Sequence, residues 1–240
     1  GFGDEGERPA RTGPRCASVN GFSLHANTPV PAHRRDQLAR LMRYTARGAV
    51  APERLAEAAH GDLVYTCAYF EDPQMTLEAA QHAKFDLVCR KLRLQPGDSV
   101  VEAGCGWGTL ALHMARKYGV HVKAFNVSRE QLAYARDRAA REGITDRVEF
   151  IDDDYRNVHG EYDAFVSVGM LEHVGLHHYH SLSEVLRRVV RRTGGRGLLH
   201  FIGRDAARPL NAWTRRRIFP GAYAPSLAEV ATRVLAPSGM

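Results

Sequence analysis

The residues able to do chemistry fall at a few places along the chain. Glu102-Ala103-Gly104-Cys105-Gly106-Trp107-Gly108 follows a short apolar stretch and leads into a helical pattern. Glycines let the backbone turn sharply into a helix N-terminus and approach a ligand closely. The spacing is G-x-G-x-G rather than the dinucleotide G-x-G-x-x-G, and the acid Glu102 stands just before the glycines. That order suits S-adenosylmethionine better than a phosphate, because the loop can accept an amino acid end and a ribose. Trp107 is expected to pack beside the loop rather than react. Where an acid usually binds ribose hydroxyls, the sequence reads Phe125-Asn126-Val127-Ser128; Asn126 can hydrogen-bond a hydroxyl but brings no charge. Asp152-Asp153-Asp154-Tyr155 closes a predicted strand where an adenine contact is expected, and a solvated acidic turn is the other reading of Asp152.

Cys67, the pair Glu172-His173 and His200 are the remaining reactive side chains of note. Each has a structural reading beside the chemical one. Cys67 is a small buried hydrophobe on that reading, His200 a satisfied histidine in an apolar strand, and Glu172-His173 a loop cap. His177, His178 and His180 invite a metal reading, but no cysteine or carboxylate spacing supports it, so no metal is expected. Cys16, Cys67, Cys89 and Cys105 include no C-x-x-C pair, which argues against a zinc site or disulfide framework.

The elements that position these groups begin near residue 60. Residues 1–35 show no sustained periodicity and read as irregular or partly disordered, with short helices at Asp36–Ala46 and from Pro52 to Ala59. Beyond Thr66, strands alternate with helices. Strands are expected at 99–103, 121–125, 147–151, 164–168 and 198–202. Helices are expected after Thr76, over Leu110–Tyr118 up to Gly119, and after a Ser128/Gln131 capping box. Leu182, Val185, Leu186, Val189 and Val190 mark a further amphipathic helix, with Gly194 as its stop. Strands separated by helices imply a parallel, doubly wound α/β sheet. The domains are then 1–60, an arginine-rich extension, and 61–240, the α/β domain.

The 240 residues suffice for one sizeable core, with 44% hydrophobic and 25% charged residues. No apolar run approaches the roughly 18 residues of a membrane-spanning helix. The polar stretch Gly1–Pro14 lacks a secretory signal's apolar core, so a cytoplasmic setting is expected. Lys and Arg exceed Asp and Glu by 33 to 27, and ten arginines lie between Arg187 and Arg217 against the single acid Asp205. Such stretches favour anionic partners, or are a solvated arginine-rich surface.

Taken together, the motifs resemble a known family. Tyr65-Thr66-Cys67-Ala68-Tyr69-Phe70, Met75-Thr76-Leu77, the glycine turn, Asp154-Tyr155-Arg156, Val168 through Gly175, His200-Phe201-Ile202-Gly203 and Ile218-Phe219-Pro220-Gly221 occur in order. This resembles the cyclopropane-fatty-acyl-phospholipid synthases, which include the mycolic acid cyclopropane synthases, over roughly residues 62–240. The resemblance implies a Rossmann-like sheet of the class I S-adenosylmethionine-dependent methyltransferase type. It also implies transfer to a cis double bond of a phospholipid acyl chain. The alkene attacks the activated methyl, a base removes a proton from the new methyl, and the ring closes. That base is implied to be bicarbonate, fixed by Cys67, Glu172, His200 and the backbone of Ile202. The implied cofactor contacts are Tyr65, Glu102, Gly104, Cys105, Gly106, Trp107, Gly108, Asn126, Val127, Gln131, Asp154 and Tyr155. The implied partner is an anionic phospholipid surface bearing unsaturated chains, with the protein peripheral to it. Nucleic acid is not expected, and a homodimer is left open.

Two departures from the family pattern stand out. Family members continue with two more strands and a tyrosine of the bicarbonate site, so the sheet is expected to lack its final pair and leave its fifth strand uncovered. The helical stretch that usually precedes the Tyr65 motif is also missing. Instead, residues 20–55, from Gly21-Phe22-Ser23-Leu24-His25-Ala26 through Pro52-Glu53-Arg54-Leu55, resemble part of an insertion-sequence transposase. Methyl transfer without ring closure and an inactive hybrid or DNA-binding remnant are the alternatives.

Overall fold

The computed structural model describes residues 10–13, 16–19, 22–25, 63–64, 66–210 and 222–239. By compactness the chain divides into Gly1–Arg47 and Gly48–Met240. The first unit contains three antiparallel strands: β1 (Ala10–Gly13), β2 (Cys16–Val19) and β3 (Phe22–His25). The expectation of irregular chain over 1–35 is corrected here. Val19 pairs with Phe22, so the dipeptide Asn20-Gly21, a strong hairpin signal, separates two paired strands. The expected helices at 36–46 and 52–59 lie outside the described residues.

The second unit is a parallel sheet with helices on both faces. Its strands are β4 (Ser99–Ala103), β5 (His121–Asn126), β6 (Val148–Asp152), β7 (Ala164–Val168) and β8 (Arg196–His200), in the order β6-β5-β4-β7-β8. The principal helices are α1 (Leu77–Leu92), α2 (Thr109–Tyr118), α3 (Arg129–Glu142), α4 (Leu171–Val174) and α5 (Tyr179–Val189). A final helix opens as α6 (Leu227–Val230) and continues through a π-helical segment. Among the described residues no helix is long and apolar enough to cross a membrane.

Successive residues of a strand face opposite sides, and both sides of this sheet are covered. Val100, Val122, Ala124, Phe150 and Val166 pack with α1, α2 and α3 on one face. Val101, Ala103, Phe125 and Phe165 pack with α5 and the C-terminal helix on the other. Each large side chain buried this way contributes roughly 1.5–3 kcal/mol. β8 is different: it pairs only with β7 among the described residues, and four of its five residues are merely half-buried.

Local chemistry sets the boundaries. Thr76 caps α1 by accepting from the Ala79 N–H at 3.2 Å. Gly119 and Gly143 end α2 and α3 in the left-handed conformation. Three expectations are corrected. Ser128 precedes α3 without a capping bond, and Gln131 instead accepts from Asn126 Nδ2 at 2.8 Å. The helix expected to run towards Gly194 ends at Val189, because Val190 turns extended and bridges to Tyr162. The last strand starts and ends two residues earlier than expected, so His200 closes β8 and Ile202 lies beyond it.

The in-register pairs Ala103 with Phe125, Asn126 with Asp152 and Val168 with His200 bring the carboxyl ends of the strands to one edge. β5 and β7 flank β4 on opposite sides, so the chain's direction of travel reverses at β4, where open α/β sheets form a crevice.

The turn after β4 is tightly constrained. A Cβ added at Gly108 (φ +78°) would come within 2.7 Å of Ala135 and Phe150, whereas one at Gly143 (φ +67°) meets nothing within 4 Å. Gly108→Ala is expected to destabilise the fold by roughly 2–4 kcal/mol, against about 1 kcal/mol for Gly143→Ala. Urea unfolding of the two variants at equal m-value measures the difference; equal losses would show that the contact is relieved by movement.

Candidate active site

The turn from β4 to α2 is held by its neighbours. The N–H groups of Gly104 and Cys105 both donate to the Phe125 carbonyl, at 2.9 and 3.1 Å, and Gly108 N–H donates to the Cys105 carbonyl. Asn126 Nδ2 donates to the Gly106 carbonyl at 3.2 Å as well as to Gln131, which ties the glycine turn to the start of α3. Gly104 packs under Met170, the residue after β7's exit, so close that a Cβ there would meet Met170 at 3.0 Å. Gly106 faces open space.

Over this turn lies a cleft of about 500 Å³, lined by Glu102, Gly104, Cys105, Gly106, Trp107, Asn126, Val127 and Gln131 among the expected cofactor contacts. A second cleft of about 300 Å³ adjoins it through Gly104, Asn126, Val127 and Met170, and is lined by Asp154 and Tyr155. Gly108 lines neither; its place is in the packing of α2 on α3 and β6. Trp107 is buried, edge-on to Tyr134 at 5.4 Å. Asp154 places both carboxylate oxygens on Arg156, which holds its pKa below the ordinary range. Tyr65 lies outside the described residues.

None of the expected catalytic residues Cys67, Glu172, His200 and Ile202 lines either cleft. Glu172, in α4, accepts the Ile202 N–H on Oε1 at 2.5 Å, which joins the β7 and β8 exits. Its Oε2 and His200 Nδ1 are buried without a hydrogen-bond partner among the described residues. Burial lowers the His200 pKa, and the neighbouring Glu172 charge acts against that shift. Cys67 is exposed. Glu172 therefore also serves as the loop tie that a structural reading gives it, while its other oxygen is left over.

The structure adds Lys84 and Tyr179, which the sequence reading passed over, and shows the surroundings of Glu102, already an expected cofactor contact. Lys84, in the buried stripe of α1, is only 5% exposed and lines the main cleft. Burial lowers its pKa to about 8, against the pull of Cys67 and Glu102. Glu102 is 2% exposed and is pushed up to about 8 by burial, despite the charge on Lys84. Tyr179 has a buried hydroxyl with no partner among the described residues, and its ionisation is opposed by burial and by the charges of Glu229 and Glu172. The signal for Lys84 was its spacing, four residues after Ala80 and four before Val88 on an otherwise apolar stripe.

Among the described residues of the arginine-rich stretch, three arginines are committed to the fold. Arg188 donates to the Val158 and Arg156 carbonyls, Arg191 pairs with Asp163, and Arg196 reaches Asp98 at 2.9 Å. Arg215, Arg216 and Arg217 lie outside the described residues.

The family follows from comparison with known proteins. The model of mycolic acid cyclopropane synthetases matches residues 57–238. This chain belongs to that family. A transposase model also matches residues 5–96, in keeping with the resemblance over 20–55. The chain is 40% identical over 168 residues to the cyclopropane-fatty-acyl-phospholipid synthase of Escherichia coli K12, covering 70% of this chain and 42% of that protein. It is 35% identical over 228 residues to the tuberculostearic acid methyltransferase UfaA1 of Mycobacterium tuberculosis, covering 87% and 52%. The mycolic acid cyclopropane synthase CmaA1, solved with SAH and CTAB, superposes with a TM-score of 0.67 at 26% identity over 84% of this chain and 71% of that one. The chain thus spans about half the length of the curated relatives it matches.

The buried acid gives a direct test of this electrostatic arrangement. Folded Glu102 keeps its proton up to about pH 8, while the unfolded chain releases it near the ordinary carboxyl value. Its contribution to stability is therefore full at pH 4 and falls as pH rises towards 8. Glu102→Gln is expected to match the parent at pH 4 and to exceed it at pH 7 by on the order of 3 kcal/mol. Urea unfolding at the two pH values measures this, and an identical pH slope in both proteins would refute it.

Proposed function

We propose that this chain carries the S-adenosylmethionine-dependent half of a cyclopropane fatty acid synthase, acting on a cis double bond in an unsaturated phospholipid acyl chain. The observation that carries the reading is the meeting of two features at one sheet edge. One is the glycine-turn cleft; the other is the cluster of buried, partnerless polar atoms Glu172 Oε2 and His200 Nδ1 beside the Ile202 backbone.

The residues present fit the cofactor. Gly104 and Gly106 leave the turn without side chains, Glu102 Oε2 is a buried acceptor with no partner, and the adjoining cleft has room for a base against Tyr155. Glu102, Gly104 and Gly106 would hold the amino acid end, Asn126 and Gln131 the ribose, and Asp154 and Tyr155 the adenine. Cys67, Glu172 and His200 would hold bicarbonate. When bound, S-adenosylmethionine supplies an electrophilic methyl and bicarbonate takes up the proton lost as the ring closes.

The chain's own residues do the rest. Glu172 Oε2 stands ready to accept a hydrogen bond from a protonated anion, and His200 Nδ1 to donate one to its oxygens. The negative charge of Glu172 favours a cationic centre developing nearby. The apolar lining from Phe85, Val88, Leu110 and Met170 keeps water from such a centre. Methyl transfer without ring closure is the second reading, favoured by the match of UfaA1, a tuberculostearic acid methyltransferase, along 87% of the chain. High-field cyclopropyl proton resonances in the product separate the two.

The arginine-rich stretch would hold the anionic lipid surface at the cytoplasmic face, with exposed Arg187 and Arg192 and the run Arg215–Arg217 as its contacts. Cosedimentation with anionic vesicles is expected to fall as salt rises, and binding that ignores salt would count against that partner.

Cys67→Ala, Glu172→Gln and His200→Ala are each expected to lower turnover by about 100-fold or more, with S-adenosylhomocysteine affinity within about threefold of the parent. Product formation from unsaturated phospholipid vesicles and calorimetric titration measure the two quantities. Equal loss of both would assign these residues to the fold instead.

A further inference from the structure

Lys84 is the least expected residue in the cleft. It lies on the apolar stripe of α1 between Ala80 and Val88, where a hydrophobic residue would serve packing better. Its ammonium donates to Thr66 Oγ1 at 2.8 Å and to Gln81 Oε1 at 2.6 Å, and sits 4.7 Å from the centre of the Phe85 ring. Two of its three N–H groups are thereby placed on neutral oxygens, and no carboxylate pairs with it among the described residues. Glu102, at the end of β4, lines the same cleft, and its Oε2 is buried without any hydrogen bond. No ion pair joins the two.

A buried ammonium and a buried carboxyl that face one cleft without a contact ion pair are costly to keep, since each gives up hydration and their mutual attraction does not offset that loss. A ligand that carries an anionic and a cationic group on one carbon atom would complement both. An α-amino acid end is such a group, with its carboxylate one bond from the carbon that bears its ammonium. A nucleoside alone, or a phosphate, offers no such pair.

We infer that Lys84 is the residue that recognises the α-carboxylate of the cofactor's amino acid end, opposite Glu102, whose Oε2 the cofactor reading already gives to that end, so that the cleft selects a zwitterionic ligand. The inference rests on the cofactor reading above. Thr66, bonded to Lys84, is drawn into the same contact, and through it the segment that carries Cys67. Lys84 touches the cofactor without taking part in bond making: it fixes the amino acid end and thereby the reach of the methyl group.

The test is calorimetric titration of the full chain with three ligands: S-adenosylhomocysteine, its decarboxylated analogue, and 5′-methylthioadenosine, which lacks both charged groups. Lys84→Met keeps the stem and volume and removes the charge. It is expected to weaken S-adenosylhomocysteine by about 10- to 100-fold and to leave the other two within about twofold. Glu102→Gln is expected to weaken S-adenosylhomocysteine and the decarboxylated analogue but not methylthioadenosine. In the parent protein, removing the ligand's carboxylate should cost about as much as removing Lys84, and the two losses should not add. That comparison needs no variant for its first half, so it survives if Lys84→Met fails to fold. Equal weakening of all three ligands by Lys84→Met, or additive losses, would overturn the assignment and leave Lys84 as a tether for Thr66. A parent protein that binds methylthioadenosine as tightly as S-adenosylhomocysteine would overturn it too. A folded parent that binds none of the three would instead defeat the cofactor reading on which the inference stands.

Discussion

The chain must leave its central strand without displacing the elements packed on either side, and most of the site follows from how it does so. β4 is flanked by β5 and β7 and covered on both faces, so its exit has room for backbone and little else. Gly108 turns against Ala135 and Phe150, and Gly104 turns under Met170. Both take positive φ, which a side chain would oppose even where space allowed. At its glycines such a turn is anchored through its backbone. The Phe125 carbonyl takes two of its N–H groups, and Asn126 takes the Gly106 carbonyl. The same absence of side chains opens the cleft above it.

That geometry explains where the polar groups end up. Glu102 is the penultimate residue of β4, so the strand that must be buried carries an acid into the base of the cleft. α1 brings Lys84 in from the side. Glu172 and His200 arrive on the exits of β7 and β8, and the Ile202 N–H fixes one carboxylate oxygen while the other is left over. Buried polar atoms are normally paired, since an unpaired one costs about 1–3 kcal/mol. Several of them at one edge of one sheet are hard to account for by folding alone and readily accounted for by ligands that complete them.

The basic charge has a more divided meaning than composition suggests. Arg188, Arg191 and Arg196 fasten α5 and the start of β8 to the loops around Val158 and Asp163, using the guanidinium as a multi-donor tie between carbonyls and carboxylates. An arginine used in that way contributes less to an anionic surface than its formal charge implies. Arg187 and Arg192, among the described residues of the same stretch, are exposed to solvent.

The α/β order was legible in the sequence because each strand is a short apolar run bounded by turn residues, and each helix has its own period and stop. β4 and β7 lie where the apolar runs place them, and Gly119 ends α2 as its φ freedom dictates. The glycine turn was legible for the same local reason, since three glycines after a strand have few other uses. The three N-terminal strands were missed although Asn20-Gly21 marks a hairpin. What local pattern could not decide was pairing at a distance. Whether Glu172 reaches Ile202, and that Lys84 and Glu102 share a cleft, depend on which elements become neighbours. Parallel crossovers join residues far apart in the chain, so those neighbours exist only once the sheet has formed.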